Sequence, residues 1–193
     1  MDEMLQIRRV TVGPLALRTQ CYVLWREGRA DCVVIDPGDE PERIRQALDG
    51  KHLAAILLTH GHFDHIGAVG ALAGEDTEII IHRLDAPLLS DPERNVSAMV
   101  RRRITAPMAT RLVEEGDRVE AAGIAFTVLH TPGHTPGSVC YQTEHALFTG
   151  DTLFAQGWGR TDLPGGDELA MQRSLRRLAP LAGQCAVYPG HGG

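Results

Sequence analysis

Apolar positions along the chain fall into short blocks separated by Gly, Pro and Asp. In the first third, the blocks at 6–12, 21–26 and 32–36 read as a meander of β-strands, with Gly28 in the turn between the second and third. Pro37-Gly38-Asp39 stops the third strand, and 41–48 reads as a short helix with Pro41 in its first turn. The run at 54–58 is continuously apolar, which predicts a strand buried on both faces, and it ends at Thr59-His60. A helical pattern follows over 63–72 and is closed by Gly74. The second half repeats the scheme: a strand at 78–81, helical stretches at 84–89 and 97–112, then short strands at 118–120, 124–129, 138–141 and 146–148. The segment 157–167 is a Gly-, Pro- and Asp-rich loop of a length that is usually functional. Asp167 then caps a helix running to 178, apolar at Leu169, Leu175 and Leu178, and a last strand spans 185–188. Two sets of strands with helices outside predict two sheets packed between helical layers. No linker or low-complexity stretch interrupts them, so one domain over 1–193 is expected.

Composition narrows the class. At 43% hydrophobic and 23% charged residues the chain has ordinary globular usage, which excludes a disordered tail, a collagen-like rod and a coiled coil. No apolar run approaches the roughly 20 residues that span a bilayer, and the start shows no apolar leader segment, so a soluble cytoplasmic protein with no membrane partner is expected. The net charge of −6 argues against a nucleic-acid partner. The one basic run, Arg101-Arg102-Arg103, precedes Glu114, Glu115 and Asp117 and reads as a solvated helix face. Cys21, Cys32, Cys140 and Cys185 include no C-x-x-C pair and read as small buried hydrophobes, with a Cys21–Cys32 bridge as the alternative. Asn95-Val96-Ser97 matches the glycosylation pattern but carries no weight without a secretory signal. No exposed apolar stripe stands out, and the oligomeric state is left open.

The nine histidines change the picture. In Thr59-His60-Gly61-His62-Phe63-Asp64-His65, four potential metal ligands follow directly on a buried strand. Residues two apart in extended chain project to one side, whereas adjacent residues diverge. The segment can therefore serve two ions, His60 with His62 and Asp64 with His65. Neutral imidazoles with a carboxylate suit zinc, iron or manganese. Further donors stand in similar settings, each just past a strand with Gly before it: His134, Asp151 and His191. His52, His82, His130 and His145 read as ordinary core or surface histidines.

The H-x-H-x-D-H cluster, His134, the Gly150-Asp151 pair and Pro189-Gly190-His191 together resemble the metallo-β-lactamase fold superfamily, and the resemblance spans essentially the whole chain. It implies an α/β (α+β) fold, a four-layer αββα sandwich of two mixed sheets flanked by helices, with a dinuclear site along the shared edge. By the family pattern His60, His62 and His134 hold one metal, Asp64, His65 and His191 hold the other, and Asp151 bridges. The best-known β-lactamases carry Cys where Asp151 stands, which argues against antibiotic hydrolysis; flavodiiron proteins carry Glu where His62 stands, which argues against that branch; and the tRNA-processing endonucleases are longer, with an RNA-gripping arm not found here. The stretches 148–154 and 157–167 look like the glyoxalase II-type thioester hydrolases, more narrowly their short bacterial members. The long members add a C-terminal helical domain and basic residues that grip glutathione. This chain stops two residues after His191, and its one lysine, Lys51, precedes the cluster and does not match the lysine that grips glutathione in that family, so glutathione recognition is left open.

The expected activity is glyoxalase II-like hydrolysis of a small-molecule thioester, an S-acylglutathione or a related acyl thioester, with two divalent ions, zinc first and iron or manganese as alternatives. A metal-bridging hydroxide would attack the thioester carbonyl, and the thiolate leaves without a strong acid because thiol pKa values lie near 8.5. Asp64 is expected to be a ligand that also orients the hydroxide, and Thr59 a hydrogen-bond partner of a ligand. Phe154, Trp158 and Arg160 are the candidate substrate contacts, with packing the equal alternative for the two aromatics and an Arg160–Asp162 pair the favoured alternative for the arginine. Two rival functions remain. One is a mononuclear-iron persulfide dioxygenase using His60, His134 and Asp151; the other is a partner-binding module, which has no need of seven intact ligands.

Overall fold

The computed structural model describes residues 4–192; residues 1–3 and Gly193, the ends of the expected domain, lie outside the described set. The first sheet contains β1 (Leu5–Val12), β2 (Thr19–Arg26), β3 (Asp31–Ile35), β4 (His52–Leu57), β5 (Glu78–His82) and β6 (Arg111–Val113) in sequential order. It is antiparallel across β1, β2 and β3 and parallel from β3 onward. The second sheet runs β11 (Ala186–Pro189), β10 (Ala146–Gly150), β9 (Val139–Gln142), β8 (Ile124–His130), β7 (Arg118–Ala121), with only β10 and β11 parallel.

Strand alternation explains why the apolar runs are continuous. Cys21, Val23, Cys32, Val34, Ile56 and Leu58 face the outer core, under α1 (Pro41–Ala47), α2 (Phe63–Ile66) and α3 (Val69–Leu72). Their neighbours Tyr22, Leu24, Val33, Ile35, Ala55 and Leu57 face the other way, against Phe126, Val128, Tyr141 and Phe148 of the second sheet. On the far side Leu129, Cys140 and Leu147 meet Leu178 of α4 (Glu168–Ala182), completing the four layers expected. Asp167 caps α4 by accepting from Ala170 N–H at 2.9 Å. The cysteines are free, with Cys21, Cys32 and Cys140 in the cores, so the Cys21–Cys32 alternative does not hold.

Three helical expectations are corrected. The stretch 63–72 breaks at Gly67-Ala68, because Ala68 N–H is taken by Pro37 O at 2.9 Å instead of by the helix. The stretch 84–89 is a 3₁₀ turn, Ala86–Ser90. The stretch 97–112 forms only the 3₁₀ turn Ser97–Val100, then extended chain leading into β6. There Asn95 Nδ2 donates to Leu88 O and Ile104 O, and Ser97 Oγ accepts from Ile104 N–H, so polar side chains take the backbone partners a helix needs. Arg102 and Arg103 are exposed as expected but sit on no helix; they pair with Asp39 and Glu93 at 3.6 and 3.9 Å. Asn95, read as a pattern without weight, is fully buried.

Candidate metal centre

Every one of the seven expected donors sits on a loop leaving a strand end, or on α2 directly after one. His60 and His62 follow β4; Gly61 between them passes so close to Leu88 that an added Cβ would lie 2.6 Å from the leucine Cβ. Asp64 and His65 occupy the first turn of α2. His134 follows β8, Asp151 follows β10 and His191 follows β11.

The structure brings these side chains to one locus. Donor atoms within each of three groups lie within 4.8 Å of one another: His60, His62 and His134; His60, His65 and Asp151; Asp64, His65 and His191. His62 Nδ1 is 2.9 Å from His134 Nε2, and His65 Nε2 is 3.3 Å from His191 Nε2. Asp151 spans the two ends, with Oδ2 3.4 Å from His134 Nε2 and 3.3 Å from His191 Nε2. His60 Nε2, His62 Nε2 and Asp151 Oδ1 are buried without a hydrogen bond, although His65 Nε2 stands 3.3 Å from that carboxylate oxygen. Buried polar atoms ordinarily find partners; lone pairs left free within a cluster of donors are what a divalent cation takes up. The donor set fits zinc, iron or manganese.

The other nitrogen of most rings is occupied. His134 Nδ1 donates to Arg160 O and His191 Nδ1 to Arg18 O, each at 2.7 Å. His65 Nδ1 donates to Asp36 Oδ2 at 3.0 Å, and His60 Nδ1 stands 3.1 Å from Thr59 Oγ1, which in turn donates to Asp36 Oδ2 at 2.6 Å. Such outer bonds fix the tautomer and turn Nε2 toward the centre. Thr59 thus takes the place expected for it.

Electrostatics divide the centre in two. Burial pushes His62 down to about 3, with His134 adding to the effect, and holds His60 well below the ordinary histidine value. Burial also disfavours charge on His191, but Asp151 and Asp64 outweigh it and push the ring up to about 10. His65 is raised in the same way by Asp151, Asp64 and Asp36. The carboxylates thus favour positive charge at this end of the centre, which a bound dication would supply in place of protons.

Two carboxylates to which sequence reasoning gave no role organise the site. Asp36, at φ 51°, accepts from Thr59 N–H, Thr59 Oγ1 and His65 Nδ1. Asp85, fully buried, accepts from Gly61 N–H at 2.9 Å and from Thr135 Oγ1 and Gly137 N–H at 2.7 Å, tying the His60–His62 loop to the His134 loop. The one signal is position: Asp36 directly follows β3 and precedes Pro37-Gly38, and Asp85 lies three residues past β5. Of the other histidines, His52 and His145 are exposed, whereas His82 and His130 stack with ring centroids 4.3 Å apart.

The centre forms the floor of a cleft of about 640 Å³, which Phe154, Trp158 and Arg160 also line. Phe154 packs edge-on against His191, while Arg160 pairs with Asp162 through two 2.7 Å bonds, the alternative favoured from sequence.

Residues 15–191 match the profile of the Metallo-beta-lactamase superfamily. Among relatives, the probable metallo-hydrolase YqgX of Bacillus subtilis is 38% identical over 192 residues, covering 96% of this chain and 89% of that one. The hydroxyacylglutathione hydrolase GloC of Haemophilus influenzae is 33% identical over 193 residues, covering 92% and 87%. Among solved structures, the BLEG-1 B3 metallo-beta-lactamase superposes with a TM-score of 0.90 at 38% identity, covering 97% and 92%. TTHA1623 in a di-iron-bound form gives 0.84 at 40% identity, covering 96% and 92%. ETHE1 from Myxococcus xanthus gives 0.79 at 30% identity, covering 97% and 76%. Profile, relatives, two mixed sheets and a His/Asp cluster at their shared edge agree: this chain belongs to the metallo-β-lactamase superfamily.

Proposed function

We propose that this protein is a metal-dependent hydrolase of small acyl thioesters. The observation that carries the reading is the convergence of seven donors beneath an open cleft, three of their buried polar atoms lacking a hydrogen bond. His60, His62 and His134 would hold one divalent ion, Asp64, His65 and His191 a second, with Asp151 in reach of both. Ions so placed lower the pKa of water toward neutrality and polarise a carbonyl. The chain's own residues do the rest. Asp36 and the carbonyls of Arg160 and Arg18 hold rings in orientation, and Thr19 Oγ1 donates to Asp64 Oδ2 at 3.4 Å, steadying the carboxylate expected to orient the attacking oxygen. Hydrolysis forms a C–O bond at the acyl carbon and breaks the C–S bond, and a thiol of pKa near 8.5 leaves without a dedicated acid. Zinc is the first choice of metal; a di-iron-bound neighbour gives iron equal standing in a test.

Metal-loaded protein is expected to hydrolyse at least one of S-lactoylglutathione and simple acyl thioesters; no turnover of any of them refutes the reading. A chromogenic β-lactam belongs in the same panel. The expectation drawn from Asp151 set antibiotic hydrolysis aside, but a neighbour named as a B3 metallo-beta-lactamase is 38% identical and brings that activity back into the test. The persulfide dioxygenase is the second reading, kept by the 30% identity to ETHE1. It requires only His60, His134 and Asp151, and oxygen uptake with glutathione persulfide and ferrous iron tests it.

A further inference from the structure

The cleft walls carry more information than the metal donors at its floor. Nine large apolar side chains are conspicuously exposed among the described residues, and four of them line this one cleft: Leu15 at 78%, Met99 at 66%, Trp158 at 60% and Val100 at 44%. They come from three separate segments: the turn after β1, the 3₁₀ turn Ser97–Val100 and the loop after β10. Each segment is anchored. Arg18 O accepts from His191; Asn95 and Ser97 fix the second; Phe154 N–H donates to Gly157 O at 3.0 Å in the third. Exposed apolar residues gathered at one concave site mark a ligand surface.

Charge in the cleft is sparse. Apart from the metal-donor candidates, the charged lining residues are Arg18 and Arg160, and Arg160 is already paired with Asp162. A glutathionyl group brings two carboxylates and an ammonium; one unpaired guanidinium does not match it.

We propose that, on the thioester-hydrolase reading above, the substrates are acyl thioesters with an extended apolar acyl chain seated among Leu15, Met99, Val100 and Trp158, rather than short hydroxyacyl conjugates of glutathione. Water adds across the C–S bond, releasing the fatty acid and the free thiol, with no redox change.

The test is a series of acetyl, butyryl, hexanoyl and octanoyl thioesters of N-acetylcysteamine. As a buried methylene is worth about fourfold in affinity when fully covered, kcat/KM is expected to rise roughly twofold to fourfold per methylene. The pair Leu15→Ser and Met99→Ser flattens that slope. Met108→Ser, at an exposed residue outside the cleft lining, does not. Binding of the hexyl and octyl thioethers of N-acetylcysteamine, which cannot be hydrolysed, is followed in parallel by calorimetry. A flat series with active enzyme, or S-lactoylglutathione outpacing the octanoyl thioester, overturns this inference and leaves the hydrolase reading standing. Chain-length-dependent thioether binding without thioester turnover overturns the hydrolase reading, and with it the assignment of a hydrolysed substrate, leaving only the apolar seat. Absence of both overturns both. A dimer dissociated by Leu15→Ser and Met99→Ser, with the slope unchanged, shows that a second copy covers the patch and also overturns it.

Discussion

Asp85 offers the sharpest test of how the site is held. Its carboxylate is fully buried and receives three hydrogen bonds, from Gly61 N–H, Gly137 N–H and Thr135 Oγ1. An added Cβ at Gly137 would lie 2.6 Å from Asp85 Oδ1, so the chain approaches this group as only glycine can. Asp85→Ala removes the acceptor and leaves two donors, Gly61 N–H and Gly137 N–H, while Thr135 Oγ1 can turn to Ser138 Oγ, 2.7 Å away. Each donor without a partner in a dry site costs about 1–3 kcal/mol. Burial pushes the Asp85 pKa up, so removing the buried charge relieves a cost that offsets part of this. The net loss works out at about 3–4 kcal/mol, a large share of the roughly 5–15 kcal/mol that holds a domain. Urea unfolding of chelator-treated protein measures it without metal linkage, as a fall in midpoint at constant slope. Zinc affinity should fall as well, because the His60–His62 loop and the His134 loop lose their common tie. A loss below about 1 kcal/mol, or unaltered zinc affinity, refutes the clamp.

Further outcomes follow from other contacts. Gly150 sits at φ 48° with Thr59 against its missing side chain, so Gly150→Ala should destabilise by more than about 2 kcal/mol, read by thermal or urea unfolding. His82 is pushed down to about 4, first by burial and then by the stacked His130. Its native form therefore binds fewer protons than the unfolded chain between roughly pH 6.5 and 4, and stability falls as pH drops through that window. His82→Asn, which keeps an acceptor for Leu84 N–H, should lose about 1 kcal/mol less than wild type between pH 7 and 5; equal losses contradict it. Glu115 is held below its ordinary value by its hydrogen bond to Arg177, so that pair stabilises above the usual carboxylate range and fails as pH falls below it. Arg177→Ala should flatten acid denaturation there while changing neutral stability by only about 0.5–1 kcal/mol, since the pair is half exposed.

Legibility in the sequence followed the range of the interactions. The strands other than β6, which falls at the end of the stretch read as helical at 97–112, were readable because their apolar blocks are local in the chain. The seven donors were readable because their residue types are dense in chemistry and each follows a strand end. The stretches 63–72 and 97–112 carry helical spacing, but Pro37 O from a preceding loop captures a backbone partner of the first, and Asn95 and Ser97 at the head of the second capture those of Ile104. Asp36 and Asp85 were silent for a related reason. An aspartate near a turn is an ordinary turn former, and only the folded chain brings Thr59, His65, Gly61 and Gly137 to them. Of the cleft walls, Phe154, Trp158 and Arg160 were legible from the Gly-rich loop they stand in or beside, whereas Leu15, Met99 and Val100 join them from segments that no local pattern announces.

Metal content of the purified chain, measured as identity and equivalents for wild type and for His62→Ala and His191→Ala, tests the central claim most directly. The account predicts about two equivalents of divalent metal in wild type, with each variant losing about one. About one equivalent of iron, retained in full by both variants, would contradict a dinuclear centre and hand the site to the dioxygenase reading.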